Sequence, residues 1–168
     1  MVPGDFLDYF TAASAAAGSL IGLLFVAVSL RPDSVLGPAA PPAARAVAGS
    51  AFTALVNSFF VSLIALIPAT SLGYTAAFMA LVSMFQTLRL HFGQARRTAA
   101  PLLLVLALAA YLAQLVVGVA LAIRPHSTEL VYDVAYLLIA SFAVALIRAW
   151  SLMRGRSAAA KQEQPSAQ

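Results

Sequence analysis

Five long apolar stretches, separated by short polar or proline-containing segments, divide the chain. Each is long enough to cross a bilayer as a helix, which takes about 20 mostly apolar residues. The pattern therefore predicts an all-α integral membrane bundle of five transmembrane helices within residues 1–153. The predicted spans are Tyr9–Leu30, Ala46–Ile67, Tyr74–Phe92, Pro101–Ile123 and Leu130–Met153.

Prolines mark the ends of these stretches. Pro32 follows the first span, Pro101 opens the fourth, and Pro125 follows the fourth. Proline is tolerated in the first turn of a helix and disrupts its interior, so these positions are boundaries. The segment PATSLG, Pro68–Gly73, joins the second and third spans and predicts antiparallel neighbours. A re-entrant hairpin is the alternative, but both of its arms are long enough to cross.

The polar segment RGRSAAAKQEQPSAQ, residues 154–168, ends the chain. It is polar and Ala-rich, and chain termini fray unless they are held by packing. We therefore expect a polar cytoplasmic tail without stable structure.

The composition excludes a soluble globular domain. The chain is 62% hydrophobic and 10% charged, with a mean hydropathy of +0.91, whereas soluble domains carry about 25% charged residues. The net charge of +4 therefore indicates topology signals and contacts with membrane lipids rather than nucleic-acid binding. The absence of cysteine excludes disulfides and thiolate metal sites.

The basic residues are distributed unequally between the two ends of the predicted bundle. Nine of them fall on the side that holds the C-terminus, and Arg124 alone falls on the other side. Lys and Arg in short loops mark the cytoplasmic side, so the N-terminus is predicted outside and the C-terminus inside. Together with the high alanine content, this predicts a multi-pass protein of the bacterial cytoplasmic (inner) membrane.

A layer of uncharged polar residues lies near the middle of the predicted spans. Asn57 and Gln114 are its largest members, and each amide must find hydrogen-bond partners in hydrocarbon. The layer is either a solute-binding site or a set of interhelical hydrogen bonds worth about 0.5–2 kcal/mol each. The second reading is favoured because no member is charged. The full set is Ser19, Asn57, Ser58, Ser83, Gln114 and Ser141.

Ionisable residues give no sign of catalysis. Asp133 lies in the first turn of the fifth span, and Arg89 and Arg148 are expected to extend toward the inner surface. His91 and His126 fall on opposite sides of the membrane, so they cannot share a haem or a metal ion. No hydrolase or phosphate-loop motif is present. We expect a protein that is not an enzyme and has no catalytic residue, cofactor or metal.

Small residues recur along one face of the first span. Ser14, Gly18 and Gly22 are four residues apart and therefore lie on one helix face. Small residues at this spacing let a second helix approach closely in lipid. This small-residue seam predicts helix packing, either within the chain or with another chain.

The segment GSLIGLLFVAVSLRPD, Gly18–Asp33, together with the preceding DFLDYF, resembles the first helix of a family of small bacterial membrane proteins. The family is common in actinobacteria, and GLLFVAVS is its best marker. Some members are labelled modulators of FtsH protease. The resemblance implies a multi-span helical protein, and the label implies a regulator of membrane proteolysis.

These features lead to two functional hypotheses. The favoured one is a non-enzymatic protein that acts through helix packing as an assembly or regulatory partner, with a membrane protein or a second copy of itself. The alternative is a small channel or transporter for an ion or small solute. Selective pores normally show charged rings or broken helices, and the sequence has neither.

Overall fold

The computed structural model describes residues 4–30, 42–67, 71–92 and 101–162. The regular secondary structure of these residues is entirely helical, without a strand, which confirms the predicted all-α class. A 3₁₀ turn, Gly4–Phe6, leads into the first of five helices. These are α1 (Leu7–Ser29), α2 (Pro42–Ala65), α3 (Leu72–Phe92), α4 (Pro101–Ile123) and α5 (Thr128–Gln162).

Four helical segments are long and apolar enough to cross a membrane: Gly4–Ser29, Arg45–Ala65, Leu104–Ile123 and Thr128–Trp150. The length and composition of these helices fit the predicted membrane class. Helix α3 has a comparable length of 21 residues, but Gln86 and Arg89 make it less apolar.

Most helix ends fall within a few residues of the predicted ones. Pro101 opens α4 as predicted, and Pro42 opens α2, where the missing N–H of proline costs no intrahelical bond. The largest difference is at the C-terminus, where α5 continues past Met153 to Gln162. The predicted unstructured tail is therefore helical in its first part. The added turns are rich in Ala, Arg and Lys, which favour helix.

Helices α2, α3, α4 and α5 form a ring in which each packs against the next, and α5 closes the ring on α2. Helix α1 lies outside this ring and packs mainly on α2. Successive helices run in opposite directions, so the predicted antiparallel pairing of α2 and α3 is confirmed. The bundle has an acidic end, with Asp5, Asp8, Glu129 and Asp133, and a basic end, with Arg45, Arg89 and Arg148.

The main apolar core lies toward the acidic end, where α1 joins the ring. Phe10 and Leu138 are fully buried there beside Val61 of α2. The Tyr9 hydroxyl donates a hydrogen bond of 2.8 Å to the Ala135 carbonyl. These contacts hold the start of α1 against both α2 and α5.

The closest approach of two helices is between α3 and α4. A Cβ added to Gly118 would lie 2.6 Å from the Ala77 backbone nitrogen, and a Cβ on Gly73 would collide with the backbone at Ala122. Each helix thus contributes a glycine followed four residues later by an alanine. Such pairs let two helix backbones come into contact. In lipid this close packing matters because no hydrophobic force drives the helices together.

Large apolar side chains cover most of the outer surface of the ring. Soluble proteins rarely expose an apolar surface this continuous to water. In the hydrocarbon of a membrane such a surface carries no penalty. Examples more than half exposed are Phe78 and Phe85 of α3, Leu102, Val105, Leu112 and Val116 of α4, and Tyr136, Leu146 and Ile147 of α5.

Candidate functional site

A reciprocal amide pair occupies the centre of the ring. Asn57 of α2 donates from Nδ2 to Gln114 Oε1 of α4 at 2.8 Å. Gln114 donates back from Nε2 to Asn57 Oδ1 at 3.0 Å. The two helices stand on opposite sides of the ring, so the pair crosses its interior. Both side chains are almost completely buried.

Gln114 also contacts a third helix. Its Nε2 donates a second hydrogen bond of 3.1 Å to the Ala76 carbonyl of α3. That carbonyl can accept it because its oxygen has a second lone pair besides the one used in the helix. One side chain therefore ties α2, α3 and α4 together at the same depth. The sequence predicted that Asn57 and Gln114 need partners, and they satisfy each other.

Three serines of the predicted layer are buried near this pair: Ser58, Ser83 and Ser141. Ser58 and Ser141 donate to carbonyls of their own helices, those of Ala54 and Leu137, at 3.1 and 2.9 Å. Ser19 differs, because it is exposed on α1. Helix α1 lies outside the ring, so this serine cannot reach the interior, and α1 supplies none of the buried layer.

More polar side chains lie between the amide pair and the basic end. The Thr53 hydroxyl of α2 has two acceptors for its single hydrogen, the Gly49 carbonyl at 2.9 Å and Gln86 Oε1 of α3 at 3.0 Å. Thr87 and Tyr111 are each at most 3% exposed and lie beside each other. The Thr87 hydroxyl is buried and lies next to the Tyr111 hydroxyl. The sequence analysis did not single out these residues.

Arg148 completes this polar region. It was expected to extend toward the inner surface, but only 7% of it is exposed, and it lies close enough to Tyr111 for a Coulombic interaction. Arg148 lies on the same face of α5 as the buried Ser141 and Ala145, which is turned into the ring. The expectation was therefore wrong. Arg89 of α3, by contrast, is exposed.

The half of the interior toward the acidic end is mainly apolar. Val61, Leu121 and Val134 fill it together with Leu138. Ser62 is an exception, since its hydroxyl is buried there without a hydrogen-bond partner among the described residues. The buried polar side chains therefore lie mainly between the basic end and the amide pair, next to a small apolar cluster of Ala54, Leu55 and Ala145. Beyond the pair the interior is mainly apolar.

The small-residue seam of α1 is only partly used within the chain. Gly18 faces the Phe59 ring of α2, with an added Cβ at 3.6 Å, and Ser14 bonds to the Thr11 carbonyl at 2.9 Å. Gly22 has no atom within 4 Å of such a Cβ. A step of four residues turns about 40° beyond a full helical turn. The seam therefore drifts away from α2 and ends on the open side of the helix.

The inner face of α1 includes its three buried residues, Phe10, Ala13 and Ala17. On the opposite side, an exposed surface made only of small residues extends over several turns. We refer to it as the small-residue face. It consists of Thr11, Ala12, Ala15, Ala16, Ser19 and Gly22.

Chemically reactive groups are dispersed. Among the described residues, no group of three or more His, Cys, Asp or Glu could hold a metal ion. His126 is exposed at the turn between α4 and α5, and the His91 side chain lies outside the described part. Asp133 is exposed at the acidic end.

Comparison with known proteins returned no match. No protein-family model, curated protein or solved structure is significantly similar to this chain. The resemblance of the first helix to a bacterial membrane-protein family therefore stays a prediction. The function has to be argued from the bundle itself, from its polar interior and from the exposed surface of α1.

Proposed function

We propose that this chain is a non-enzymatic membrane protein that acts as an assembly or regulatory partner, by receiving a helix of another membrane protein on the small-residue face of α1. One observation carries the proposal. The exposed side of α1 from Thr11 to Gly22 contains only Ala, Ser, Thr and Gly, while the rest of the bundle presents large apolar side chains.

The physical reason lies in what drives helix association in lipid. Lipid tails are as apolar as leucine, so helices associate through close van der Waals contact and hydrogen bonds. A surface of small residues lets a second backbone approach closely, as Gly118 does for α3. Helix α1 is also the least buried of the four spanning helices, with 11% of its most apolar window buried.

The proposal includes five spans with the N-terminus outside. Helix α3 packs between α2 and α4, and its 21 residues extend about 30 Å, the thickness of the hydrocarbon core. The excess of Lys and Arg at the basic end supports a cytoplasmic location for that end. The bacterial cytoplasmic membrane is the proposed location.

A substitution at Gly22 tests the proposal. Because nothing in the chain lies within 4 Å of an added Cβ, Gly22→Leu should leave the melting temperature of the purified protein unchanged. It should reduce by at least tenfold the amount of partner that co-purifies in mild detergent. Wild-type levels of partner with Gly22→Leu would contradict the proposal.

Gly118→Leu serves as the matched control. The same enlargement at Gly118 meets the backbone of α3 and should lower the melting temperature. Comparing the two variants distinguishes loss of partner binding from loss of folding. Gly22→Leu changes an open surface and leaves the core unaffected, whereas Gly118→Leu disturbs the core.

A channel or transporter for a small solute is the second candidate. The buried Thr87, Tyr111 and Arg148 support it, because they place polar side chains in the interior between the basic end and the amide pair. The amide pair of Asn57 and Gln114 would then be the gate. Solute flux into liposomes that contain the protein, abolished by Gln114→Leu, would favour this candidate over the first.

A further inference from the structure

Arg148 brings a positive charge into the interior of the ring. It lies on the face of α5 that carries the buried Ser141 and Ala145, and it is buried itself. Arginine keeps its proton in a protein, so the interior holds a full positive charge at this point. An ionisable residue inside a membrane bundle is costly, and such residues usually mark a functional site.

Two hydroxyl groups from other helices lie beside this charge. They belong to Tyr111 of α4 and Thr87 of α3, which are both almost completely buried. The two hydroxyls are neighbours, and the guanidinium is close enough to Tyr111 for a Coulombic interaction. Three helices of the ring therefore bring a cation and two hydroxyls to one place. We refer to Arg148, Tyr111 and Thr87 as the Arg148 cluster.

The region around the cluster is electropositive. The carboxylates that the structure describes all belong to the acidic end: those of Asp5, Asp8, Glu129 and Asp133. Along α5, Asp133 precedes Arg148 by about 22 Å, at the helical rise of about 1.5 Å per residue. A charge in the low-dielectric interior of a protein is stabilised by a nearby charge of opposite sign. The described side chains supply none at the basic end.

We propose that the Arg148 cluster binds a small monovalent inorganic anion of the size of chloride. A guanidinium has five N–H donors, so it can bind an anion while it keeps other hydrogen bonds. The two adjacent hydroxyls carry two hydrogens, so one can donate to its neighbour and the other to the anion. One positive charge matches a monovalent ion. Because Tyr111 and Thr87 are almost completely buried, only a small ion fits beside them.

A phospholipid headgroup carries the same negative charge, but the location of the cluster favours a free ion. The cluster lies inside the ring, among α3, α4 and α5, whereas lipid tails and headgroups contact the outer surface. It lies on the basic side of the amide pair, so a dissolved ion would enter from that end. The inference does not rest on the helix-partner proposal. If the second candidate function is correct, the bound anion is its solute.

Thermal unfolding of the purified protein in detergent tests the inference. Sodium chloride replaces sodium gluconate stepwise at constant ionic strength, because gluconate is also monovalent but too large for the cluster. A ligand that binds only the folded state raises the melting temperature as its concentration increases. The wild type should gain about 3–5 °C at a chloride concentration tenfold above the dissociation constant, along a single-site curve.

Two variants locate the ion. Arg148→Gln removes the charge and should abolish the effect of chloride. Tyr111→Phe removes one hydroxyl but keeps the ring, and it should weaken chloride binding several-fold. Arg89→Gln is the matched control, because it removes an exposed arginine of α3 at the same end. It should respond to chloride as the wild type does.

The inference is overturned if the wild type melts at the same temperature in chloride and in gluconate, or if Arg89→Gln weakens the chloride effect as much as Arg148→Gln. Stabilisation by phosphatidylglycerol in gluconate, without any effect of chloride, would assign the site to a lipid and overturn it too. If Arg148→Gln does not fold, a wild-type response of Tyr111→Phe decides against it. None of these results affects the helix-partner proposal, which is tested at Gly22.

Discussion

The Asn57–Gln114 pair shows how polar side chains buried in a membrane bundle satisfy their hydrogen-bonding groups. Each amide loses its water on insertion, and an unsatisfied amide in hydrocarbon costs several kcal/mol. Here each donates to the other, at 2.8 and 3.0 Å. The requirement for partners could be predicted from the two residue types. The identity of the partner could not, because it depends on α2 and α4 facing each other across the ring.

Breaking this pair from either side should be costly. Asn57→Leu or Gln114→Leu leaves one buried amide without its partner, and the free energy of unfolding should fall by about 1–3 kcal/mol in each case. The double variant should lose less than the sum of the two, because no amide is then stranded. Unfolding by a denaturing detergent, followed by circular dichroism, measures all three.

Ser141→Ala is the control for that series. The Ser141 hydroxyl bonds to a carbonyl of its own helix at 2.9 Å, so its removal strands no side chain on another helix and should change stability little. Additive effects of the two leucine substitutions would show that the amides act independently.

Arg148 shows where residue-level reasoning fails. From the sequence, an arginine near a helix end is expected to reach the nearest membrane surface. The face of the helix decides otherwise, because Arg148 lies on the side of α5 that is turned into the ring and is buried near Tyr111. Arg89 of α3, at the same end of the bundle, is exposed. Which face of each helix is turned inward could not be predicted from the sequence.

Among the helices, the close contact between α3 and α4 is the clearest case of packing through small residues. Gly73 with Ala77, and Gly118 with Ala122, are spaced so that each pair lies on one helix face. The sequence analysis singled out Ser14, Gly18 and Gly22 instead, which are more conspicuous because they form a longer series. The same spacing in α3 and α4 is visible in the sequence. The sequence does not show which helices are neighbours, so it could not identify this contact.

Gly118→Ala should destabilise the bundle by about 1–3 kcal/mol, the usual cost of overpacking. The added Cβ would lie 2.6 Å from a backbone nitrogen of α3, and backbone cannot rotate away as a side chain can. Gly22→Ala, with open space around its Cβ, should leave stability unchanged. Thermal unfolding of the two variants in one detergent compares their melting temperatures. Equal melting temperatures would contradict the assigned contact.

The molecule as a whole is a ring of four helices with a fifth attached to its outside. Hydropathy predicted the helices because a membrane requires long, apolar helical segments. It could not predict that α1 stands apart, because α1 is as apolar as the others. That arrangement follows from tertiary contacts, and it determines which surface remains open.

Cysteine labelling tests the five spans and their orientation. The chain has no cysteine of its own, so single cysteines can be read without background. In right-side-out vesicles, a membrane-impermeant maleimide should label Asp5→Cys and His126→Cys. It should label Thr98→Cys and Ser157→Cys only after permeabilisation. Equal accessibility of Asp5→Cys and Thr98→Cys in sealed vesicles, with His126→Cys on the opposite side, would mean that α3 does not cross.

The central claim is that the small-residue face of α1 receives another helix, and cross-linking in native membranes tests it most directly. A photoreactive benzophenone maleimide is attached to Ser19→Cys on that face, or to Leu112→Cys on the outer surface of α4, both exposed. We expect a discrete protein adduct from position 19 and only lipid adducts from position 112. Lipid adducts alone from both positions, or the same protein adduct in equal yield from both, would contradict the claim.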